Sequence, residues 1–140
     1  MKICIDTWGW LTLQDKREPR HQEVKNFYQD FRQRKGIAYT SDYILDKTIT
    51  LLFRRLPFSV AVGFLNDIDR AVKEKYLRLE RITPERFDKA KEFRIKFHDK
   101  PRISFTDLTS MMVMVELEIT EVLTEDDHFL QIGMGFKKVP

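Results

Sequence analysis

The sequence contains a single cysteine, Cys4, among its 140 residues. One cysteine cannot form a disulfide within the chain, and it excludes a zinc site built from several thiolates. No apolar run approaches the roughly 20 residues that a membrane helix needs. The first apolar run is interrupted by Asp6, unlike the core of a secretory signal peptide. We therefore expect a cytoplasmic protein without a membrane segment.

The chain also lacks internal repeats, low-complexity segments and a linker that would divide it. Its residues are 42% hydrophobic and 34% charged, a composition typical of a globular protein and not of a disordered one. A chain of this length is long enough to bury a core. We therefore expect a single domain that spans residues 1–140.

Charge is distributed unevenly along the sequence. Residues 1–100 carry 22 Lys and Arg against 15 Asp and Glu, whereas residues 101–140 carry 3 against 7. A metal-dependent enzyme that acts on a polyanion has such a distribution, because cations hold phosphates and carboxylates hold the metal ion. Solvated helix faces would produce the same distribution. Charge alone therefore leaves both interpretations open.

Segments typical of strands and helices alternate along the chain. Short apolar runs predict strands at 2–5, 37–40, 77–82, 119–123 and 135–139. Apolar spacing and end signals predict helices at 22–34, 41–56, 57–72, 84–97 and 107–115, with a helical turn at 129–132. The polar stretch 14–21 is expected to be a loop, and no helix is predicted between Asp6 and this loop. This alternation predicts an α/β fold, a mostly parallel sheet of four to five strands between layers of helices.

Three acidic residues follow or precede predicted strands. Asp6 ends the first strand, Asp126 follows the fourth, and Asp107 lies in the first turn of the helix that leads into the fourth. Ligands bind at the carboxyl ends of strands in such sheets, although topology alone leaves the edge that Asp107 reaches open. Each acid also has a local explanation: a turn at Asp6, and favourable helix ends at Asp107 and Asp126.

Clustered carboxylates repel one another and raise each other's pKa unless a cation neutralises them. Oxygen ligands favour Mg²⁺ or Mn²⁺ over zinc. Either ion can activate water and stabilise the charge that develops on a phosphate, as phosphodiester hydrolysis requires.

Four segments resemble the PIN-domain family, most closely its small VapC-like toxins: Ile3–Trp8, Thr40–Thr48, Ser104–Asp107 and Val122–Phe129. The resemblance implies an α/β/α sandwich and an Mg²⁺- or Mn²⁺-dependent endoribonuclease that hydrolyses RNA. Asp6, Asp107 and Asp126 would be its catalytic, metal-binding acids, and Thr124 the hydroxyl beside the last acid. It further implies that Asp107 reaches the same edge as Asp6, and it suggests a homodimer and an antitoxin partner.

One position departs from the family pattern. An acid usually follows the serine of the second segment by six residues, and Lys47 stands there. Asp46 is adjacent but is rotated by about 100° on a helix, so it does not replace the acid. Lys47 shares a helical spacing with Ile44 and Leu51, which predicts an inward stem and contacts with the clustered carboxylates. We expect weakened metal binding and catalysis, or alternatively a PIN-fold module that binds RNA or a protein and cleaves little.

Further residues are candidates for accessory roles. Asp127 and His128 follow Asp126, and His128 could contact a phosphate, orient Asp126 or serve only the structure. Arg54 and Arg55 could hold RNA or form a solvated helix end. Trp8 and Trp10 could stack on a base or pack over the sheet edge.

Overall fold

The structure, a computed structural model, describes all 140 residues. Strands and helices alternate as the sequence predicts. The five strands are β1 (Lys2–Ile5), β2 (Ile37–Ser41), β3 (Leu77–Glu80), β4 (Glu121–Leu123) and β5 (Lys137–Val139). The seven helices are α1 (Thr7–Gln14), α2 (His21–Gln33), α3 (Asp42–Arg55), α4 (Phe58–Lys73), α5 (Pro84–Lys96), α6 (Phe105–Glu116) and α7 (His128–Gln131).

The strands form one parallel sheet in the order β3-β2-β1-β4-β5, which confirms the predicted sheet. The chain places β2 and β3 on one side of β1 and then crosses to place β4 and β5 on the other. The strand order therefore reverses between β1 and β4. In open α/β sheets, ligands bind beyond the carboxyl ends of the two strands that flank such a reversal.

Helices cover both faces of the sheet. Ile3, Cys4 and Ile5 are each at most 4% exposed, and successive residues of a strand point to opposite faces. Burial of all three residues therefore requires a layer on each side of β1, which gives the predicted α/β/α sandwich. No helix has the length and apolar character needed to span a bilayer.

Helix α1 is the one element that was not predicted from the sequence. Most of its residues are buried, among them Thr7, Trp10 and Leu11, so it shows no polar face from which periodicity could be recognised. Gly9 allows α1 to approach the sheet closely, because a Cβ at this position would lie 2.7 Å from the Leu123 carbonyl oxygen. The first helix therefore starts directly after β1 and packs on the end of β4.

Two predicted helix starts are confirmed by capping hydrogen bonds. The Ser41 hydroxyl accepts from the Ile44 N–H at 3.1 Å, and the Thr83 hydroxyl accepts from the Arg86 N–H at 3.2 Å. The third strand is shorter than the predicted 77–82, because the Ile82 N–H donates to the Asp42 carboxylate at 2.9 Å. That side chain replaces a strand partner and connects the ends of β2 and β3.

The fourth strand also begins later than the predicted residue 119. Glu118 has a φ of 57°, which turns the chain at the end of α6. The Ile119 N–H then donates to the Met114 carbonyl at 2.8 Å. These residues therefore close the helix instead of extending β4.

Candidate active site

Asp6 leaves β1 at the point where the strand order reverses. Its backbone N–H donates to the Leu123 carbonyl at 3.2 Å, which joins the carboxyl ends of β1 and β4. The residue is 7% exposed, and its Oδ2 accepts a hydrogen bond from the Thr124 hydroxyl at 3.0 Å. A carboxylate is thus held inside the sheet edge with one fixed donor.

The Thr124 hydroxyl connects two of the predicted acids. It donates to Asp6 and accepts from the backbone N–H of Asp126 at 3.1 Å. Thr124 is 1% exposed, so water cannot readily replace these partners. One buried hydroxyl therefore fixes both the Asp6 carboxylate and the start of the loop that carries Asp126.

Asp107 reaches this same edge from α6, as the family resemblance implied. The Ser104 hydroxyl caps the helix by accepting from the Asp107 N–H at 3.0 Å. Asp107 is 6% exposed. The Ser-x-x-Asp spacing is a capping signal that can be recognised in the sequence, and it places Asp107 in the first turn of α6.

Asp126 and His128 complete the cluster. The Asp126 Oδ1 accepts from the His128 N–H at 2.8 Å. The His128 Nδ1 lies 3.2 Å from Asp126 Oδ1 and 3.4 Å from Asp107 Oδ2. His128 was predicted only as an accessory residue, because no feature of the sequence predicts that its ring lies between two carboxylates.

The environment opposes ionisation of the two buried acids. Burial, with the negative charge of Asp107, raises the pKa of Asp6 to about 6, although Thr124 and Lys47 lower it. Burial, with the charge of Asp126, raises the pKa of Asp107, and His128 and Lys47 oppose this rise. A bound cation would remove the repulsion that contributes to both shifts.

The donor set fits a divalent ion. One ligand atom each from Asp107, Asp126 and His128 lies within 4.8 Å of the others. Ligands on opposite sides of Mg²⁺ lie about 4.2 Å apart, since each bond is 2.0–2.1 Å long. Small side-chain movements would therefore bring these atoms around one ion. Asp6 lies outside this group of three, and the negative charge of Asp107 raises its pKa.

No protein-family model and no curated protein sequence matches the chain. Among solved structures, Mycobacterium tuberculosis VapC20, described as a sarcin-ricin loop cleaving toxin, superimposes with a TM-score of 0.80. The two sequences are 29% identical, and the match covers 98% of each chain. This similarity supports a VapC-like PIN domain. The fold expected from the four sequence segments is thereby confirmed.

The Lys47 side chain does not have the position that was predicted for it. Its side chain is exposed and makes no ion pair within 4.0 Å, so the predicted inward stem and carboxylate contacts are wrong. The buried stripe of α3 is formed by Ile44, Leu45, Thr48 and Leu52, and Lys47 lies on its flank. Its charge nevertheless lowers the pKa of both Asp6 and Asp107.

Four further candidates lie away from the acid cluster of the PIN domain. Asp46 is exposed on α3. Asp127 is 65% exposed and pairs with Lys138 at 2.5 Å. Arg54 and Arg55 form the last turn of α3, about two helical turns, or roughly 10 Å along the axis, beyond Lys47 and Thr48. The structure therefore does not bring these four side chains to the cluster.

The two tryptophans divide as the packing interpretation allowed. Trp10 is 5% exposed, and its indole N–H donates to the Thr40 hydroxyl at 3.1 Å. Trp8 is half-buried, with the Arg20 guanidinium 5.2 Å from its ring centre. Trp10 is thus a core residue that joins α1 to β2, a contact that no local sequence signal indicates.

Proposed function

We propose that residues 1–140 act as a single PIN domain that hydrolyses RNA phosphodiester bonds with Mg²⁺ or Mn²⁺. The observation that carries this proposal is the convergence of Asp6, Asp107 and Asp126 where the strand order reverses. Three carboxylates beside a histidine have no evident structural use there, because burial and mutual repulsion raise the pKa of Asp6 and Asp107. The similarity to VapC20, described as a sarcin-ricin loop cleaving toxin, supports RNA as the substrate.

Each residue has a definable role in this proposal. Asp107 and Asp126 would hold the ion, and the Asp6 carboxylate would join them from the adjacent strand end; the ion would activate water and neutralise charge on the phosphate. Thr124 fixes the direction of Asp6 through a buried hydrogen bond. His128 holds Asp126 through its backbone N–H and places its ring between Asp126 and Asp107. Residues that hydrogen-bond to metal ligands in this way orient them, and their mutation typically lowers metal affinity or activity by about 10- to 100-fold.

The test is RNA cleavage by the purified protein with and without a chelator. We expect Mn²⁺-dependent cleavage that falls by at least roughly 100-fold in Asp107→Asn. Asp46→Asn is the matched control, because it removes an exposed carboxylate outside the cluster. Cleavage that persists in EDTA, or that Asp107→Asn leaves intact, would contradict the mechanism.

A second candidate is a PIN-fold module that binds RNA or a partner protein and cleaves little. Lys47 favours this candidate, because it stands where the family pattern expects an acid. The same assay separates the two functions: the module would bind labelled RNA in Mn²⁺ without shortening it. RNA cleavage by the wild type, even if slow, would favour the nuclease if Asp107→Asn abolishes it.

The resemblance also supports proposed partners. We propose that the chain is the toxin of a toxin-antitoxin pair or a stand-alone relative, and that it forms a homodimer. Light scattering after gel filtration measures the dimer directly. Co-expression with the product of an adjacent short reading frame tests the antitoxin: suppression of toxicity and co-purification would support a toxin-antitoxin pair.

A further inference from the structure

Lys47 is a cation without a partner beside an acidic cluster. It forms no ion pair. In contrast, Lys138 pairs with Asp127 and donates to the Glu125 carbonyl at 3.4 Å, in the loop that carries Asp126. The Lys47 side chain is exposed. All three of its N–H donors are therefore available to a ligand that enters from solvent.

The helix that carries Lys47 is anchored to the acid-bearing edge. Helix α3 packs against α1 and α6, the helices that follow Asp6 and carry Asp107. The next residue, Thr48, is fully buried; its hydroxyl donates to the Ile44 carbonyl at 2.7 Å and lies 3.2 Å from the hydroxyl of Thr7. The base of the Lys47 side chain is thus fixed near the carboxylates, while its ammonium group remains free.

The negative charge at the site exceeds what one divalent ion neutralises, so a further cation would be favourable there. Asp6, Asp107 and Asp126 carry three negative charges when ionised, and one divalent ion neutralises two. An RNA phosphate that enters brings another negative charge, and more charge accumulates on its oxygens during hydrolysis. The Lys47 ammonium is close enough to lower the pKa of two of the acids, and it is positioned to offset this excess.

We propose that Lys47 binds the RNA phosphate that is to be cleaved, in a site that holds a single divalent ion. This inference rests on the proposed function, and it assigns to Lys47 a role toward substrate instead of toward the metal. A lysine suits the role because its ammonium is a compact charge that binds phosphate oxygens without a fixed geometry. Lys47 thereby supplies positive charge that an acid at this position would supply only by recruiting a further ion.

The experiment compares wild type with Lys47→Gln, Lys47→Arg and Lys73→Gln. Lys73 is a matched control, because it is exposed at the end of α4, which leads to the opposite edge of the sheet. Affinity for a fluorescent hairpin RNA is measured by anisotropy across a salt series in Ca²⁺. Cleavage rates are measured in Mn²⁺, Mn²⁺ affinity and stoichiometry by calorimetry, and folding by thermal melting.

We expect Lys47→Gln to lower the salt slope of RNA binding by about 0.7–0.9. It should lower kcat roughly tenfold or more, since one contact to the developing charge is lost. Mn²⁺ should bind at one site per chain with undiminished affinity. Lys47→Arg should restore most of the slope, and Lys73→Gln should behave as wild type.

The outcomes separate this inference from the proposed nuclease function. If wild type cleaves RNA and Lys47→Gln matches it in rate and salt slope, the nuclease stands and the role of Lys47 is overturned. Faster cleavage with tighter Mn²⁺ binding in Lys47→Gln also overturns it, because Lys47 would then only compete with the metal. If wild type binds RNA through Lys47 without cleaving it, the nuclease fails, and the assignment of Lys47 to a phosphate that is cleaved is overturned with it. A wild type that binds no RNA overturns both.

Discussion

At the scale of single residues, the cluster contains one hydroxyl and one imidazole that organise carboxylates. Thr124 serves Asp6 and the backbone of Asp126, and His128 lies between Asp126 and Asp107. The acids were recognisable from their positions after strands. The contacts among them depend on residues far apart in the chain, as with Thr124 and Asp6, and local pattern does not report such contacts.

Asp6 should make the metal-free protein less stable as pH rises. Its pKa is raised from 3.8 to about 6, so between these values the folded state binds more protons than the unfolded state. Stability therefore falls with increasing pH in this window, by up to roughly 3 kcal/mol for a shift of this size. Asp107 contributes in the same direction.

Urea unfolding in EDTA at several pH values, on wild type and Asp6→Asn, measures this effect. The difference between the two proteins cancels the titrating groups that do not interact with Asp6. We expect Asp6→Asn to gain stability relative to wild type from pH 4 to above pH 6, with a plateau at higher pH. A flat difference across the series would show that Asp6 ionises without a penalty.

At the scale of elements, local signals explain both the successes and the failures of prediction. Ser41 and Thr83 marked helix starts because capping is a local interaction. Helix α1 was missed because it is apolar on nearly all sides. The position of the Lys47 side chain was predicted wrongly, because its spacing from Ile44 and Leu51 places it beside the buried stripe of α3 and not within it. Burial of a helix face depends on the packing of neighbouring helices, which spacing alone does not show.

The close contact between α1 and β4 at Gly9 can be tested by substitution. In Gly9→Ala the new Cβ would meet the Leu123 carbonyl oxygen at 2.7 Å and the Leu123 Cγ at 2.9 Å. Backbone cannot yield as a flexible side chain can, so we expect a loss of roughly 1–3 kcal/mol in unfolding free energy. Chemical denaturation measures the loss.

Gly63→Ala is the matched control on helix α4. No atom lies within 4 Å of a Cβ at this position, and alanine favours helix over glycine, so we expect a gain of about 0.5–1 kcal/mol. Equal effects of the two substitutions would mean that α1 does not depend on the close approach at Gly9.

At the scale of the whole molecule, the sheet order gathers the acids and the charge pattern surrounds them. Asp6 belongs to the basic first 100 residues, and Asp107 and Asp126 to the acidic last 40. The crossing from β3 to β4 brings these parts of the chain together, because it places β4 beside β1. The resulting site is central in the sheet although its residues are more than 100 positions apart in sequence.

The central claim is that Asp6 and Asp107 belong to one divalent-ion site. Thermal melting at pH 7.5 with EDTA or excess Mn²⁺ tests it on wild type, Asp6→Asn, Asp107→Asn and the control Asp46→Asn. Wild type and Asp46→Asn should melt higher in Mn²⁺, by the equivalent of about 2.7 kcal/mol at 100 times the dissociation constant. Both site variants should equal or exceed wild type in EDTA, since a repelling charge is removed, and should gain little from Mn²⁺. An undiminished Mn²⁺ gain in either site variant would contradict the shared site.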